Sequence, residues 1–204
     1  QGHVSVFSDI RAIREAEKKL KHLLNEDQLT GLPNYRGFLE YIQKKLDGGR
    51  FALVFIDLDN FKHINDTFGH DQGDEVIRQI AHHLKATLPA DNFLCRRSGD
   101  EFIAVLDIHE PIPDFKDKLQ AIFQPARFTV HHMGAVQITA TFSAGAALFP
   151  DHTPSIHELL IYADTALLSA KESGRHQIQW LDAKMLATTS RKTKVDSRLA
   201  VAIR

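Results

Sequence analysis

The chain contains one cysteine, Cys95. An internal disulfide is therefore impossible, and packing must hold the fold. It has no apolar run near the roughly 20 residues needed to span a bilayer and no recognisable signal peptide. Formal net charge is only −1, which argues against a broad electrostatic surface for nucleic acid or acidic membranes. The expectation is a reducing, cytoplasmic setting, with no membrane contact by this stretch. Gln1, Gly2 and His3 do not read as a natural start. A longer parent protein is expected, and a sensor or membrane anchor can lie elsewhere in it. The histidines form no zinc-like cluster: His82 and His83 are adjacent, and His131 and His132 flank a turn.

What is present suits one globular domain with flanking segments. The chain has 204 residues and 43% hydrophobic content, enough to bury a core without staples. Residues 8–26 read as a helix, capped by Ser8 or Asp9, with Ile13, Ala16, Leu20 and Leu23 in a 3-4-3 stripe. That stripe either packs on its own domain or ends a coiled coil arriving from upstream. A turn-rich stretch, Asp27 to Asn34, follows. Helices are expected at 36–46, 74–88, 115–123 and from a Ser155 cap to about Gly174. The continuous apolar run 51–56 fits a central strand buried on both faces. Strands at 93–96 and 102–107 flank a tight turn, and 128–131 with 136–147 make a second hairpin. The pattern predicts an α/β (α+β) domain with a central mixed, mostly antiparallel sheet flanked by helices. The expected divisions are a linker or signalling helix over 1–26, the domain over 27–181, and a linker with a new helical start over 182–204. In that last stretch 187–194 is polar, and Val195, Leu199 and Ile203 resume helical spacing.

Three clusters can carry chemistry. The buried strand ends in Asp57 and Asp59, followed by Lys62 and Asn65. Ligands collect at strand ends in open α/β sheets, and carboxylates there can hold Mg²⁺, which prefers oxygen. Alternation places both acids on one side if the strand extends that far; otherwise they cap the next helix. Ser98, Gly99, Asp100 and Glu101 form the second cluster, where Gly permits close backbone approach; an ordinary polar turn has the same composition. Lys171 and Arg175, four apart, can share a helix face and grip phosphate, or simply answer the helix dipole.

Taken in order, these motifs resemble the GGDEF family of diguanylate cyclases over about residues 27–181. The opening signature is Asp27 to Asn34 (DQLTGLPN). The long central motif spans Asp57 to Lys62 (DLDNFK), Asn65 to His70 (NDTFGH) and Gly73-Asp74. Ser98 to Phe102 (SGDEF) matches the name motif. Phe142 to Gly145, Ala163 to Leu167, Lys171 and Gly174-Arg175 complete the set. The resemblance implies that two GTP molecules condense to cyclic di-GMP and two pyrophosphates, with Mg²⁺ or Mn²⁺, between two domains facing each other as a homodimer. It implies that Asp57, Asp100 and Glu101 are catalytic acids. Metal would be held by Asp57, the Leu58 carbonyl, Asp100 and Glu101. Asn65 and Asp74 would read guanine, and Lys171 and Arg175 would grip phosphates. Asn60, Phe61 and Lys62 would line the phosphate turn beside Ser98 and Gly99.

The departures are specific. Ser98 replaces the first Gly of the name motif, which strains the turn if positive φ is needed there. Arg97 stands where an aromatic is usual. Leu168 and His176 replace a usual Tyr and Asn. The family's inhibitory product site, an Arg-x-x-Asp pattern, corresponds to Pro89 to Asn92, which lacks both charged residues. The tail from Ser190 to Arg204 resembles the lead-in helix of an EAL phosphodiesterase domain. The competing expectation is therefore a degenerate GTP-binding GGDEF domain that controls an attached EAL domain under an upstream sensor.

Overall fold

Phe51–Leu58 (β1) is apolar except for Asp57, because both of its faces are covered. It pairs antiparallel with Glu101–Asp107 (β3) on one side and Phe142–Phe149 (β6) on the other. The computed structural model describes residues 14, 20, 22–46, 49–89, 91–122, 126–131 and 135–186. Besides β1, β3 and β6, its elements are helices α1 (Tyr35–Lys45), α2 (Phe61–Phe68), α3 (His70–Thr87), α4 (Ile112–Ile122) and α5 (Ile156–Glu172). The other strands are β2 (Phe93–Ser98), β4 (Ala126–His131), β5 (Ala135–Ala140) and β7 (Ile178–Trp180). The main sheet runs β2-β3-β1-β6-β7, antiparallel except for the β6–β7 pair, and β4-β5 form a separate ribbon.

Strand alternation divides the core in two. Phe51, Leu53 and Phe55 pack with Phe38 and Ile42 of α1 and Leu159, Ala163 and Leu167 of α5. Ala52, Val54, Ile56 and Leu58 pack with Val76, Ile77, Ile80 and Leu84 of α3 and Leu119 of α4. Full burial of each such large side chain contributes roughly 1.5–3 kcal/mol. The α5–β6 contact is unusually close. A Cβ on Gly145 would lie 2.0 Å from the Leu167 nitrogen and 2.2 Å from the Ala163 carbonyl oxygen. Only a small-residue strip lets this helix sit so low on the strand.

The mixed, mostly antiparallel sheet is as expected. β1 extends two residues past the expected strand, to Leu58, and so includes Asp57. α2 was absent from the sequence reading, and α3 begins at His70, four residues early. The expected strand 136–147 is two strands, broken at Thr141, and β7 was not anticipated. Asn34 caps α1 by accepting from the Gly37 amide at 3.0 Å, and Ser155 caps α5. Residues 22–25 are helical. Leu20, Leu23 and Leu24 are exposed, so that part of the stripe is not packed on the domain. The Ser8 or Asp9 cap and the helix expected over 195–204 lie outside the described residues.

Candidate functional site

The ends of three strands and one helix meet at Asp57. In the β1–β3 register Asp57 faces Glu101, and in the β1–β6 register it faces Ser143. The Leu58 amide donates to the Asp100 carbonyl at 3.4 Å, tying the 98–101 turn to the end of β1. Lys171, in the last turn of α5, places Nζ 2.8 Å from Asp57 Oδ2. Three acids and one lysine therefore share one edge of the sheet. Burial pushes the Asp57 carboxyl above its usual range; Lys171 opposes this, and Asp100 and Glu101 add to the rise. Asp100 is also raised, first by burial, with Lys171 opposing and Glu101 reinforcing.

Asp59 does not join this set. It is buried and accepts from Thr141 Oγ1 at 2.7 Å, Ser143 Oγ at 2.6 Å and the His176 amide at 3.1 Å. The expectation that Asp57 and Asp59 act as a pair therefore fails. The side of the strand was right, but β6 and the loop after α5 satisfy Asp59 completely. Nor does it cap α2, whose N-cap Asn60 makes no side-chain cap bond.

Lys171 and Arg175 do not share a helix face either. α5 ends at Glu172, and Arg175 lies beyond Gly174 with φ +64°. His176 also has positive φ, +49°. The Asp59 carboxylate holds the His176 amide, and the Arg175 amide donates to the Ala170 carbonyl at 3.0 Å. The loop therefore presents Arg175 at an exposed position fixed from both ends.

On the other side of β1, Asn60 adopts a left-handed conformation, φ 59° and ψ 27°, and opens α2. The first turn of a helix leaves amides unspent, suited to anions. Phe61 is half-buried and Lys62 exposed. Asn65 Oδ1 is buried with no hydrogen-bond partner. A Cβ on Gly73 would lie 1.8 Å from that oxygen, so glycine there is what leaves room for the amide. Asp74 follows immediately and is exposed.

The name-motif turn takes its positive φ at Gly99, +51°, while Ser98 ends β2 as an extended residue. The expected strain from a Cβ at Ser98 is therefore absent. The Arg97 guanidinium lies 5.3 Å from the Phe55 ring centroid and 5.8 Å from that of Tyr35. At the former inhibitory stretch, Asn92 Oδ1 accepts from the Asp107 amide at 2.9 Å. Its side chain is spent on the backbone. No group of three or more His, Cys, Asp or Glu among the described residues is arranged to hold a metal ion.

Comparison with known proteins decides the family. The model of the diguanylate cyclase GGDEF domain matches residues 24–177. The chain belongs to the GGDEF family. It is 34% identical over 173 residues to the cyclic di-GMP phosphodiesterase PdeR of Escherichia coli, covering 83% of this chain and 26% of that protein. It is 32% identical over 192 residues to the bifunctional diguanylate cyclase/cyclic di-GMP phosphodiesterase MucR of Pseudomonas aeruginosa, covering 90% of this chain and 27% of that protein. The chain thus spans about a quarter of the length of these relatives. Among solved structures, the GGDEF domain of YfiN (TpbB) from Pseudomonas aeruginosa superposes with a TM-score of 0.71 at 28% identity, covering 81% of this chain and 99% of that one. The coiled coil and GGDEF domain of DgcB from Caulobacter crescentus, in complex with cyclic di-GMP, gives 0.71 at 26% identity, covering 87% and 96%. This GGDEF domain therefore has the fold of the diguanylate cyclase family and belongs to cyclic di-GMP signalling. None of its helices among the described residues is long and apolar enough to cross a membrane.

Proposed function

We propose that this domain is a diguanylate cyclase that condenses two GTP molecules to cyclic di-GMP and two pyrophosphates. The observation that carries the reading is Asp57 facing Glu101 across β1 and β3, with Lys171 on Asp57. A buried Asp57 and a half-buried Glu101 held beside a lysine at the end of a sheet suit a divalent cation and a phosphorylated ligand. The donor types suit Mg²⁺ or Mn²⁺: Asp57, Glu101, Asp100 and the Leu58 carbonyl would offer hard oxygens, although the three carboxylates are not gathered as a coordination shell in the ligand-free chain. Such ions ordinarily complete their shell with water and substrate phosphates. When bound, the cation would offset charge on the phosphates and lower the pKa of the attacking hydroxyl.

The remaining roles belong to the chain. Asn60, Phe61 and the start of α2 would cradle phosphate oxygens, with Lys62, Ser98 and Gly99 alongside. Asn65 would address the purine edge through its unpartnered amide oxygen, and Asp74 would accept from the guanine N1–H and amino group. Lys171 would transfer from Asp57 to the triphosphate, joined by Arg175. The 3′-hydroxyl of one GTP loses its proton to solvent as its oxygen bonds to the α-phosphorus of the other, and the bond from that phosphorus to the bridging oxygen breaks as pyrophosphate leaves. A second step between the same pair closes the ring. Each domain holds one GTP, so a homodimer supplies the facing half-site by orientation. The exposed Leu20 and Leu23 suit a helix that pairs upstream under sensor control.

The test incubates the concentrated chain with GTP and Mg²⁺ and separates cyclic di-GMP by chromatography, with Asp100→Ala as control. Product that vanishes in the control is expected. A second reading is favoured by the phosphodiesterase names of the long relatives. In it, the domain binds GTP and regulates an attached EAL phosphodiesterase without turnover. Nucleotide binding without product, in the full-length protein as well, would select it.

A further inference from the structure

Two donors from β2 converge on one oxygen of Glu101. Arg97 Nη1 donates to Oε2 at 3.1 Å, and Ser98 Oγ donates to the same oxygen at 3.1 Å. Successive strand residues normally face opposite sides. Here the β2–β3 register shifts between Arg96 and Ser98, and such an irregularity re-aims side chains. It is what lets neighbours reach a single carboxylate. Arg97 is itself held in place, its guanidinium over Phe55 and Tyr35 within cation–π range. Arg97 and Ser98 are also the two positions in this turn where the chain departs from the family pattern.

We propose that Arg97 and Ser98 are positioning residues that hold Glu101 by one carboxylate oxygen, so that the other serves a divalent cation shared with Asp57. The inference rests on the cation reading of Asp57 and Glu101 above. A glutamate at a strand end has three side-chain torsions to fix before it can act as a ligand. Donors on one oxygen remove that freedom beforehand, and outer-shell partners of this kind commonly change metal affinity by about 10–100-fold. Ser98 is a neutral donor at an exposed position, so its share is smaller than that of the Arg97 guanidinium, about three- to tenfold. Ser98 gives the cleaner test, because removing its hydroxyl changes no charge near the cation.

The experiment is an electron paramagnetic resonance titration of the 204-residue chain with Mn²⁺ and the α,β-methylene analogue of GTP. Ser98→Ala and Ser98→Gly are expected to weaken Mn²⁺ binding by about three- to tenfold, while Ser98→Thr, which restores the hydroxyl, stays near the parent value. Melting in EDTA checks that each variant folds, and the glycine variant carries the test if the alanine variant does not. The deciding comparison is on a Glu101→Gln background, where Ser98→Ala should have no further effect. Unchanged binding in Ser98→Ala, or an equal loss on both backgrounds, overturns the positioning role and leaves the cation reading intact. If Glu101→Gln itself leaves Mn²⁺ binding unchanged, Glu101 is not a ligand, and both assignments fall.

Discussion

Arg96 joins Asp27 to the carbonyl of Gly99. Its Nη1 donates to both Asp27 oxygens, at 3.0 and 3.1 Å, and its Nε and Nη2 donate to the Gly99 oxygen at 2.9 and 2.7 Å. Asp27 in turn accepts from the Thr30 amide and hydroxyl at 2.9 and 2.7 Å. One guanidinium therefore locks the turn that follows residues 22–25 onto the turn that carries Asp100. Planar, forked donors suit this double task, which a lysine ammonium cannot perform.

Arg96→Met is expected to destabilise the domain by about 2 kcal/mol, because the partly buried Asp27 carboxylate loses its cation and the Gly99 carbonyl its donors. Arg96→Lys should recover little of the loss. Urea unfolding of the two variants checks this. A lysine variant close to the parent would show that charge alone suffices.

Gly73→Ala separates function from stability. The new Cβ collides with the Asn65 side-chain oxygen at 1.8 Å and approaches Phe61 Cζ at 3.3 Å. The amide can swing away, and alanine is the better helix former by about 1 kcal/mol. The melting temperature should therefore stay within a few degrees of the parent while affinity for guanine nucleotide falls by about tenfold or more. Calorimetric titration with a GTP analogue, beside a thermal melt, distinguishes this from general damage.

Lys171→Met should move two affinities in opposite directions. The lysine occupies Asp57 in the ligand-free chain, so its removal leaves the acid pair free for Mn²⁺ alone and strengthens that binding severalfold. The triphosphate loses its cation, and GTP binding weakens by about tenfold or more. A variant that weakens both would mean that Lys171 supports the acid pair and does not compete for it.

Asp100→Asn is expected to raise thermal stability in EDTA at neutral pH, by a few degrees at most because the half-buried carboxyl is partly screened by solvent. Burial leads the forces that raise the Asp100 carboxyl pKa above 3.8. Its folded state binds protons more readily than its unfolded state, so ionisation at neutral pH is destabilising. That deficit fades as pH falls toward the unfolded value, and the advantage of the asparagine variant should shrink with it. Asp27 has the opposite sign. Burial works against its charge, but Thr30 and Arg96 outweigh burial and hold its pKa below 3.8. Its contribution is present above the unfolded value and lost as pH falls through the folded one. Melts across the acid range, with and without Asp27→Asn, read that loss directly.

Much of this was legible from local pattern. The run at 51–56 had to be a doubly covered strand, because no amphipathic element has every position apolar. Ser155 announced a helix start through its capping chemistry, whereas the cap at Asn34 emerged only in the structure. The order of motifs from Asp27 to Arg175 carried the family, because each motif is contiguous. α2 was missed because its eight residues are half polar and begin at a left-handed Asn60, with no apolar stripe long enough to read. β6 was merged with β5 because both runs are apolar and the break at Thr141 is one residue wide.

The sequence by itself determined most of the helices and strands, the family, and which acids and cations stand near each other along the chain. Tertiary structure decided how they were divided. Asp57 and Asp59 have the same local pattern, yet one keeps a titratable carboxyl beside Lys171 and the other is consumed by Thr141, Ser143 and the His176 amide. Ser98 looked like a defect until the positive φ fell on Gly99. Both outcomes depend on partners 80 or more residues away for Asp59, and on the β2–β3 register for Ser98. Pairing across a sheet is set by burial of the whole core and leaves no mark within the local stretch of sequence.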